Sequence, residues 1–240
     1  MQLPSRTWGD PAAPRRVLLV HGLNGSADTW ERVAERLVEK GWHVTAVDLR
    51  GHASAPAAPD YALASYATDL PRDDWDLVIG HSLGGASSLL AATTPGFAQR
   101  LVLLDPVLEI DPAARDAIIA DQLDELELTV ESLRAQKPHW HPRDLASKVE
   151  AAHRSSAATA RGSFEHNPAW NLVVEASTIA VPTLILGGDH AVYSMLATET
   201  AAAITTANPR VSYVVVEGAG HSPQRDRFEE TLAAILSFVG

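Results

Sequence analysis

Apolar and polar residues alternate along the first half of this chain in a pattern that predicts both strands and helices. Short runs of branched residues and leucine predict buried strands at 17–20, 44–47, 77–79 and 101–104. The segment between the first two runs places apolar residues at helical spacing, namely Trp30, Val33, Ala34, Leu37 and Val38. Gly41 is expected to end that helix, and a further helix is predicted at 61–70. Because strands and helices alternate at short intervals, we expect parallel strands with helices on both faces of the sheet.

The alternation stops after residue 107 and resumes nearer the end of the chain. From 108 to 177 no segment predicts a strand, and the stretch from Asp111 to Gln136 favours helix. Strand patterns return at 183–186 and 211–216, with a helix around 195–205 between them. The last helix carries an apolar stripe made of Phe228, Leu232, Ile235, Leu236 and Val239. We therefore predict an α/β core at 1–107 and 178–240, and a helical cap inserted at 108–177 over the strand ends.

Residues whose side chains could take part in binding or catalysis lie at the ends of the predicted strands. His21, Asp48, Ser82 and Asp105 closely follow the strands of the first half. Open parallel sheets place their binding and catalytic loops at the carboxyl ends of the strands. These residues are therefore expected on one edge of the sheet.

Composition excludes several classes of partner. Lys and Arg number 19 and Asp and Glu 30, so the formal charge is −11, which repels nucleic acid and anionic membranes. The chain has no cysteine, and therefore neither a disulfide nor a thiolate metal site. No apolar run has the length of a signal-peptide core at the start of the chain or of a membrane span elsewhere. We expect a cytoplasmic protein, monomeric or homodimeric, without nucleic-acid or membrane partners.

The segment Gly80-His81-Ser82-Leu83-Gly84 lies between the strand at 77–79 and a helical pattern. A serine at such a strand–turn–helix junction is held in a strained backbone conformation, with its hydroxyl clear of the sheet. Glycines two residues to either side leave space for the helix to fold back beside the strand. Ser82 is therefore the candidate nucleophile.

The order of these motifs resembles the α/β-hydrolase superfamily over nearly the whole chain. The resemblance rests on the Ser82 motif and on three further segments, His21-Gly22, Asp48-Leu49-Arg50-Gly51-His52 and Gly220-His221. Ala53 departs from the family pattern, in which glycine is usual. The resemblance implies an α/β-hydrolase fold with the order serine, acid, histidine along the chain. It makes His221 the base that accepts the proton of Ser82.

Two aspartates are candidates for the carboxylate that orients His221. Asp189 follows the strand at 183–186, where the family most often carries this acid, and we favour it. Asp105, at the end of the preceding strand, is the alternative. The resemblance also implies an oxyanion hole formed by the backbone N–H groups of Leu23 and Leu83.

Three further sequence features give weaker indications of a binding site. The segment 139–141 offers two histidines without a third ligand, so no metal site is predicted. The spacing Gly22-x-x-Gly25 matches neither phosphate-binding fingerprint, so no cofactor is expected. Trp140, Trp170 and Asn24 are predicted to contact the substrate.

The serine motif and the resemblance together predict a serine hydrolase that cleaves a carboxylic ester or a lactone. Serine at position 82 argues against epoxide hydrolysis and dehalogenation, which use a carboxylate nucleophile in this fold. The predicted cap has few charges around its aromatic residues and no evident cationic cluster, which favours a small or medium, largely apolar substrate. Two alternatives stay open. One is a lyase or carbon–carbon bond hydrolase in which His221 acts as a base without acylation, and the other is a ligand receptor that retains the triad.

Overall fold

The computed structural model describes residues 1–240, which form a seven-stranded sheet flanked by helices. The strand order is β1-β3-β2-β4-β5-β6-β7, and every neighbouring pair is parallel except β1 with β3. The strands are β1 (Ser5–Trp8), β2 (Arg15–Val20), β3 (Trp42–Val47), β4 (Leu77–His81), β5 (Leu101–Leu104), β6 (Thr183–Gly187) and β7 (Val211–Val215). The predicted fold class, a mostly parallel sheet of the α/β-hydrolase type, is confirmed.

The strand β1 is the one that the apolar pattern does not predict. It is an antiparallel strand at the edge of the sheet, and its residues Ser5, Arg6 and Thr7 are exposed. A short edge strand that faces solvent needs no apolar run, so its sequence carries no strand signal.

Helices cover both faces of the sheet. They are α1 (Glu31–Glu39), α2 (Leu63–Asp69), α3 (Leu83–Ala92), α4 (Arg115–Asp124), α5 (Val130–Gln136), α6 (Pro142–His153), α7 (Ala157–Glu165), α8 (Val173–Thr178), α9 (Thr198–Ala207), α10 (Pro223–Asp226) and α11 (Phe228–Val239). The apolar residues of α1 and α11 pack in one core, and those of α2, α3, α8 and α9 pack in a second. The strands β4 and β5 lie between the two cores and are buried along their whole length. No helix combines the length and the apolar character needed to cross a bilayer.

The segment between β5 and β6 contains helices and no strand, although β5 and β6 are neighbours in the sheet. Its two ends are held together by backbone hydrogen bonds from Ile110 N to Trp170 O at 3.1 Å and from Leu172 N to Leu108 O at 2.7 Å. The helix α8 packs against α3 and α9, which belong to the core. The predicted boundary at 177 therefore falls inside α8, a helix of the core. The segment 108–171 is hereafter called the insertion.

Candidate active site

Ser82 occupies the turn between β4 and α3 in a backbone conformation that residues other than glycine rarely adopt. Its backbone angles are φ 54° and ψ −119°. The tight turn depends on its flanking glycines: a Cβ on Gly80 would lie 2.5 Å from the carbonyl oxygen of Gly84, and one on Gly84 would collide with the carbonyl of Val20. Positive φ in a residue other than glycine costs about 1–3 kcal/mol and is concentrated at functional sites. The strained junction expected from the sequence is present.

His221 reaches Ser82 from the loop that follows β7. Its Nε2 lies 2.9 Å from Ser82 Oγ, although 139 residues separate the two in the chain. A second histidine fixes the backbone of this loop, because His81 Nε2 donates to the carbonyl oxygen of His221 at 2.7 Å. The structure therefore brings together the predicted nucleophile and the predicted base.

Asp105, and not Asp189, is the carboxylate beside His221. His221 Nδ1 donates to Asp105 Oδ2 at 2.6 Å, and the Asp105 side chain is completely buried. The same carboxylate accepts hydrogen bonds from Ser194 Oγ at 2.6 Å, from Met195 N at 2.9 Å and from Gly188 N at 3.1 Å. The sequence prediction that favoured Asp189 is therefore wrong, and the alternative, Asp105, lies beside His221.

Asp189 has a structural role instead. Its carboxylate accepts hydrogen bonds from Ala191 N at 2.9 Å and from Gly218 N at 3.0 Å, so it joins the loops after β6 and β7. The hydrogen bond from Gly218, followed by that from Ala191, lowers the pKa of Asp189. Asp105 ends β5, the strand directly beside β4, and its carboxylate meets His221, whereas the carboxylate of Asp189 is used by backbone N–H groups.

The environment of Asp105 keeps it ionised. Burial alone would raise the pKa of this carboxyl. The hydrogen bond and the charge of His221, together with the hydrogen bonds from Ser194 and Met195, outweigh burial and hold the pKa below its ordinary value. An anion at this position can hold the His221 imidazole with its proton on Nδ1 and leave Nε2 free to accept one.

The loop after β2 lies directly against the candidate nucleophile. A Cβ on Gly22 would lie 2.9 Å from Ser82 Cβ, and the next residue, Leu23, lines the same cavity as Ser82. Leu83 also lines this cavity and is the first residue of α3, where backbone N–H groups have no partner within the helix. The assignment of these two backbone N–H groups to an oxyanion hole stays a prediction.

Asn24, predicted to contact the substrate, does not line the cavity. Its side chain is completely buried and its Nδ2 donates to the carbonyl oxygen of Gln122 in α4 at 2.8 Å. This hydrogen bond ties the loop after β2 to the insertion. The structure therefore gives Asn24, whose backbone turns with φ 53°, a contact within the protein and no surface on the cavity.

The two predicted tryptophans line a cavity of about 430 Å³ that also contains Ser82 and His221. Each is buried and each donates its indole N–H within the protein, Trp170 to the carbonyl oxygen of Val107 at 2.8 Å and Trp140 to Asp226 Oδ1 at 2.7 Å. Both rings are therefore fixed in orientation before any ligand binds. Their contact with a substrate stays a prediction.

The histidines at 139 and 141 have separate partners. His139 Nε2 donates to Asp226 Oδ1 at 2.8 Å, whereas His141 Nδ1 accepts from the backbone N–H of Arg143 at 3.2 Å and caps α6. Asp226 also accepts from Gly220 N at 2.9 Å, beside His221. This segment of the insertion therefore supports the loop that carries the candidate base.

Cationic side chains in the cavity are the feature that the sequence prediction missed. Lys137 and Lys148 from the insertion and Arg225 from α10 all line the cavity. Lys148 and Arg225 are buried, with exposures of 7% and 8%. They are separated by 77 positions in the chain. The one local signal is the spacing of Arg225 four residues after His221, which places both on one short segment.

Three buried histidines near the site are uncharged at neutral pH. Burial is the largest cause and lowers the pKa of His21 to about 4, that of His52 to about 3 and that of His81 well below its ordinary value. His21 donates from Nδ1 to Gly22 O at 2.7 Å and accepts at Nε2 from Leu49 N at 3.0 Å. Such a pair of bonds requires the neutral ring.

The free energy of unfolding should fall as the pH drops below the ordinary histidine value of 6.5. Below that pH the histidines of the unfolded chain bind protons. In the folded protein His21 stays neutral down to about pH 4 and His52 down to about pH 3. Each such histidine lowers stability by up to about 1.4 kcal/mol per pH unit across its window. Urea unfolding at a series of pH values between 7 and 4 measures this slope.

The matched variants are His52→Gln and His190→Gln. The first removes a buried histidine and should reduce the slope by about one proton. The second removes an exposed histidine and is the control for the loss of a histidine side chain as such. Identical slopes in the wild type and His52→Gln would contradict a neutral buried ring at position 52.

The chain resembles known hydrolases in sequence. Residues 17–234 match the Alpha/beta hydrolase family. The 2-(acetamidomethylene)succinate hydrolase of Mesorhizobium japonicum is 29% identical over an alignment of 252 positions including gaps. This match covers 93% of this chain and 87% of the relative. Lipase LipV of Mycobacterium tuberculosis is 35% identical over 134 residues, covering 50% of this chain. The chain spans 51% of the length of that lipase and 41% of a serine hydrolase-like protein of Dictyostelium discoideum.

Solved structures show the same fold. The crystal structure of E-2-(acetamidomethylene)succinate hydrolase superposes with a TM-score of 0.83 at 24% identity, and the match covers 99% of this chain and 94% of that one. The family match covers most of the chain, including Ser82, Asp105 and His221. The protein therefore belongs to the alpha/beta hydrolase family.

Proposed function

We propose that the protein is a serine hydrolase that cleaves a carboxylic ester or a lactone through an acyl-enzyme on Ser82. The observation that carries this proposal is a pair of linked hydrogen bonds, in which Ser82 Oγ donates to His221 Nε2 at 2.9 Å and His221 Nδ1 donates to Asp105 Oδ2 at 2.6 Å. Both distances lie within the range at which a base can take the proton of a nucleophile directly. Ser82 and His221 line a cavity that is large enough for a small organic substrate.

Each residue has a defined role in the proposed reaction. His221 Nε2 accepts the hydroxyl proton of Ser82 while Oγ attacks the carbonyl carbon, and the resulting imidazolium is stabilised by Asp105. The tetrahedral oxyanion collapses, the carbon–oxygen bond breaks, and His221 gives its proton to the leaving alkoxide. His221 then takes a proton from a water that attacks the acyl-enzyme. It returns this proton to Ser82 Oγ as the bond between Oγ and the acyl carbon breaks and the acid is released.

The oxyanion needs donors that are already in place before the reaction. We assign this role to the backbone N–H groups of Leu23 and Leu83, whose residues line the cavity beside Ser82. The N–H of Leu83 has the further advantage of lying at the positive end of α3. Neither role depends on the leucine side chain.

The insertion supplies the remaining walls of the proposed substrate site. Trp140, Phe164 and Trp170 give an apolar surface, and Gln122 and Lys148 a polar one. The cavity of about 430 Å³ suits a substrate of small or medium size. Relatives named as a lipase and as a hydrolase of 2-(acetamidomethylene)succinate support hydrolysis as the reaction type.

A fluorophosphonate probe and product partitioning test the acyl-enzyme together. The probe is expected to add to Ser82 in the wild type and in Ser87→Ala, and not in Ser82→Ala. Ser87 is the matched control because it is buried one turn further along the same helix, where its Oγ donates to Leu83 O at 2.8 Å. Hydrolysis of several esters of one acid in dilute methanol should give the same ratio of methyl ester to acid, because all pass through one acyl-enzyme.

The alternative functions give different results. A lyase or carbon–carbon bond hydrolase that uses His221 without acylation would give ratios that vary with the leaving group. A receptor that retains the triad would release one equivalent of alcohol and then stop. Steady turnover with a constant ratio is the expected result.

A further inference from the structure

An arginine without an ion-pair partner lies in the cavity that contains Ser82. Arg225 lines this cavity and is 92% buried, since its exposure is 8%. Its one side-chain hydrogen bond is long, from Nη1 to Ser222 Oγ at 3.4 Å, and it forms no ion pair within 4.0 Å. Buried arginines are almost always paired, because a guanidinium that has lost its water needs acceptors in compensation.

Two donors of Arg225 have no acceptor in the protein. Nε is buried out of reach of a molecule the size of water, and Nη2 donates no hydrogen bond. The terminal nitrogens are therefore the donors through which Arg225 can meet a carboxylate in the cavity. The guanidinium carbon lies 5.1 Å from the centre of the Trp140 ring, so the cation is held against an aromatic surface of the cavity.

The carboxylates nearest to Arg225 are occupied by other partners. Asp144 accepts from Arg32, and Glu125 accepts from Lys148 at 2.6 Å. Asp226 accepts from Trp140, from His139 and from Gly220. These charges favour the arginine cation from a distance without contacting it. Burial, the larger effect, lowers the pKa of Arg225, yet an arginine with so high an ordinary pKa stays protonated.

The positive charge acts on the part of the cavity next to the candidate nucleophile. Burial is the largest cause of the lowered pKa of His21 and of His81, which lie beside Gly22 and Ser82. The charges of Arg225 and Lys148 lower both further, and at His81 the charge of His221 has a larger effect than either. Three acidic residues also line the cavity. Asp121 and Asp124 are exposed, where water and salt screen them, and Glu125 is paired with Lys148 at 2.6 Å, which leaves Arg225 as the buried cation without a partner. The buried interior therefore favours an anion.

We propose that Arg225 forms a carboxylate subsite, so that the substrate carries a free carboxylate in addition to the bond that Ser82 attacks. This inference rests on the proposed function and narrows it to esters or lactones of carboxylate-bearing acids. It replaces the expectation of a largely apolar substrate. Arg225 then determines specificity, because a neutral analogue of the same size leaves the guanidinium unpaired.

Turnover of matched esters tests this subsite. Monoethyl esters of succinate, glutarate and adipate provide the carboxylate at three lengths, and ethyl alkanoates of matched length provide neutral counterparts. The best monoester should exceed its neutral counterpart in kcat/KM by about 10-fold or more, since a hydrogen-bonded charge pair contributes that much. Arg225→Gln should lose about 10- to 100-fold on the monoester, chiefly in KM, with neutral esters changed less than about 3-fold.

Two further variants separate the buried guanidinium from general positive charge. Lys137→Gln removes a cation of the same cavity whose side chain is 32% exposed, and should change the preference less than about 3-fold. Arg225→Lys keeps the charge but loses the planar guanidinium donors, and should fall between the wild type and Arg225→Gln. An equal loss on charged and neutral esters in Arg225→Gln, or a wild type without preference, would overturn the subsite.

Binding to the Ser82→Ala protein provides a test that needs no catalysis and no change at Arg225. Calorimetry should show glutarate binding at least about 10-fold more tightly than glutaramide. Equal binding, or no binding of glutarate, overturns the subsite. If carboxylate binding is found but the wild type cleaves no ester, the proposed function fails and the subsite stands. If esters are cleaved without preference for a carboxylate, the reverse holds.

Discussion

Replacing Asp105 with asparagine is expected to lower kcat for ester hydrolysis by about 10⁴-fold, the loss seen when a serine hydrolase loses this anion. Asparagine fills the same volume but carries no charge, so the imidazolium formed during the reaction is no longer stabilised. Its amide can also donate towards His221 Nδ1, which moves the imidazole proton to Nε2 and blocks acceptance of the Ser82 proton. Steady-state kinetics with 4-nitrophenyl acetate measures the loss, and circular dichroism checks that the variant is folded.

Asp189→Asn is the matched control for Asp105→Asn. Asp189 accepts hydrogen bonds from the backbone of Ala191 and Gly218, which an asparagine oxygen can still accept in part. We expect kcat within about 3-fold of the wild type, because the side chain touches neither His221 nor the cavity. A loss at Asp189 as large as that at Asp105 would restore the acid favoured by the sequence.

Removing the hydroxyl of Ser82 should abolish hydrolysis while revealing the strain of the turn. Ser82→Ala and Ser82→Gly are both expected to lose about 10⁴- to 10⁶-fold in kcat, because no other group can form the acyl-enzyme. Their stabilities should differ. At φ 54° and ψ −119° alanine keeps the unfavourable Cβ contact and glycine does not.

The Gly variant should be the more stable of the two by about 1 kcal/mol, since relief of about 1–3 kcal/mol of strain exceeds the greater freedom of unfolded glycine. Urea unfolding of both proteins measures the difference. The same pair at Ser88, inside α3, should give the opposite order by about 1 kcal/mol, because glycine weakens a helix interior. Greater stability of Ala than Gly at both positions would show that Ser82 is not strained.

Local patterns in the sequence were sufficient for the parallel sheet and the junction at Ser82, and the family resemblance added the candidate base His221. Runs of apolar residues predict β2 to β6 because strands buried on both faces need apolar side chains. The edge strand β7 is also rich in valine, although Val214 and Val215 are exposed. The glycines around Ser82 are equally local, because the turn leaves no space for a Cβ at Gly80 or Gly84. His221 followed from the resemblance, since the order along the chain leaves one histidine after the last strand in a glycine-containing loop.

The identity of the acid and the charge of the cavity depended on neighbours that the sequence does not place. Asp105 and Asp189 both follow strands and both precede His221, so chain order cannot separate them. In the folded protein His221 Nδ1 lies 2.6 Å from Asp105 Oδ2, whereas the carboxylate of Asp189 accepts from the backbone of Ala191 and Gly218. Likewise, Arg225 becomes a buried, unpaired cation only once the insertion packs Trp140 against it and other groups occupy the nearby carboxylates. The sequence thus determined which elements form and which hydroxyl is exposed at a strained turn, because those depend on contacts within a few residues. Tertiary packing decided which carboxylate orients the base and which ligand charge the cavity favours, because those depend on distances between segments far apart in the chain.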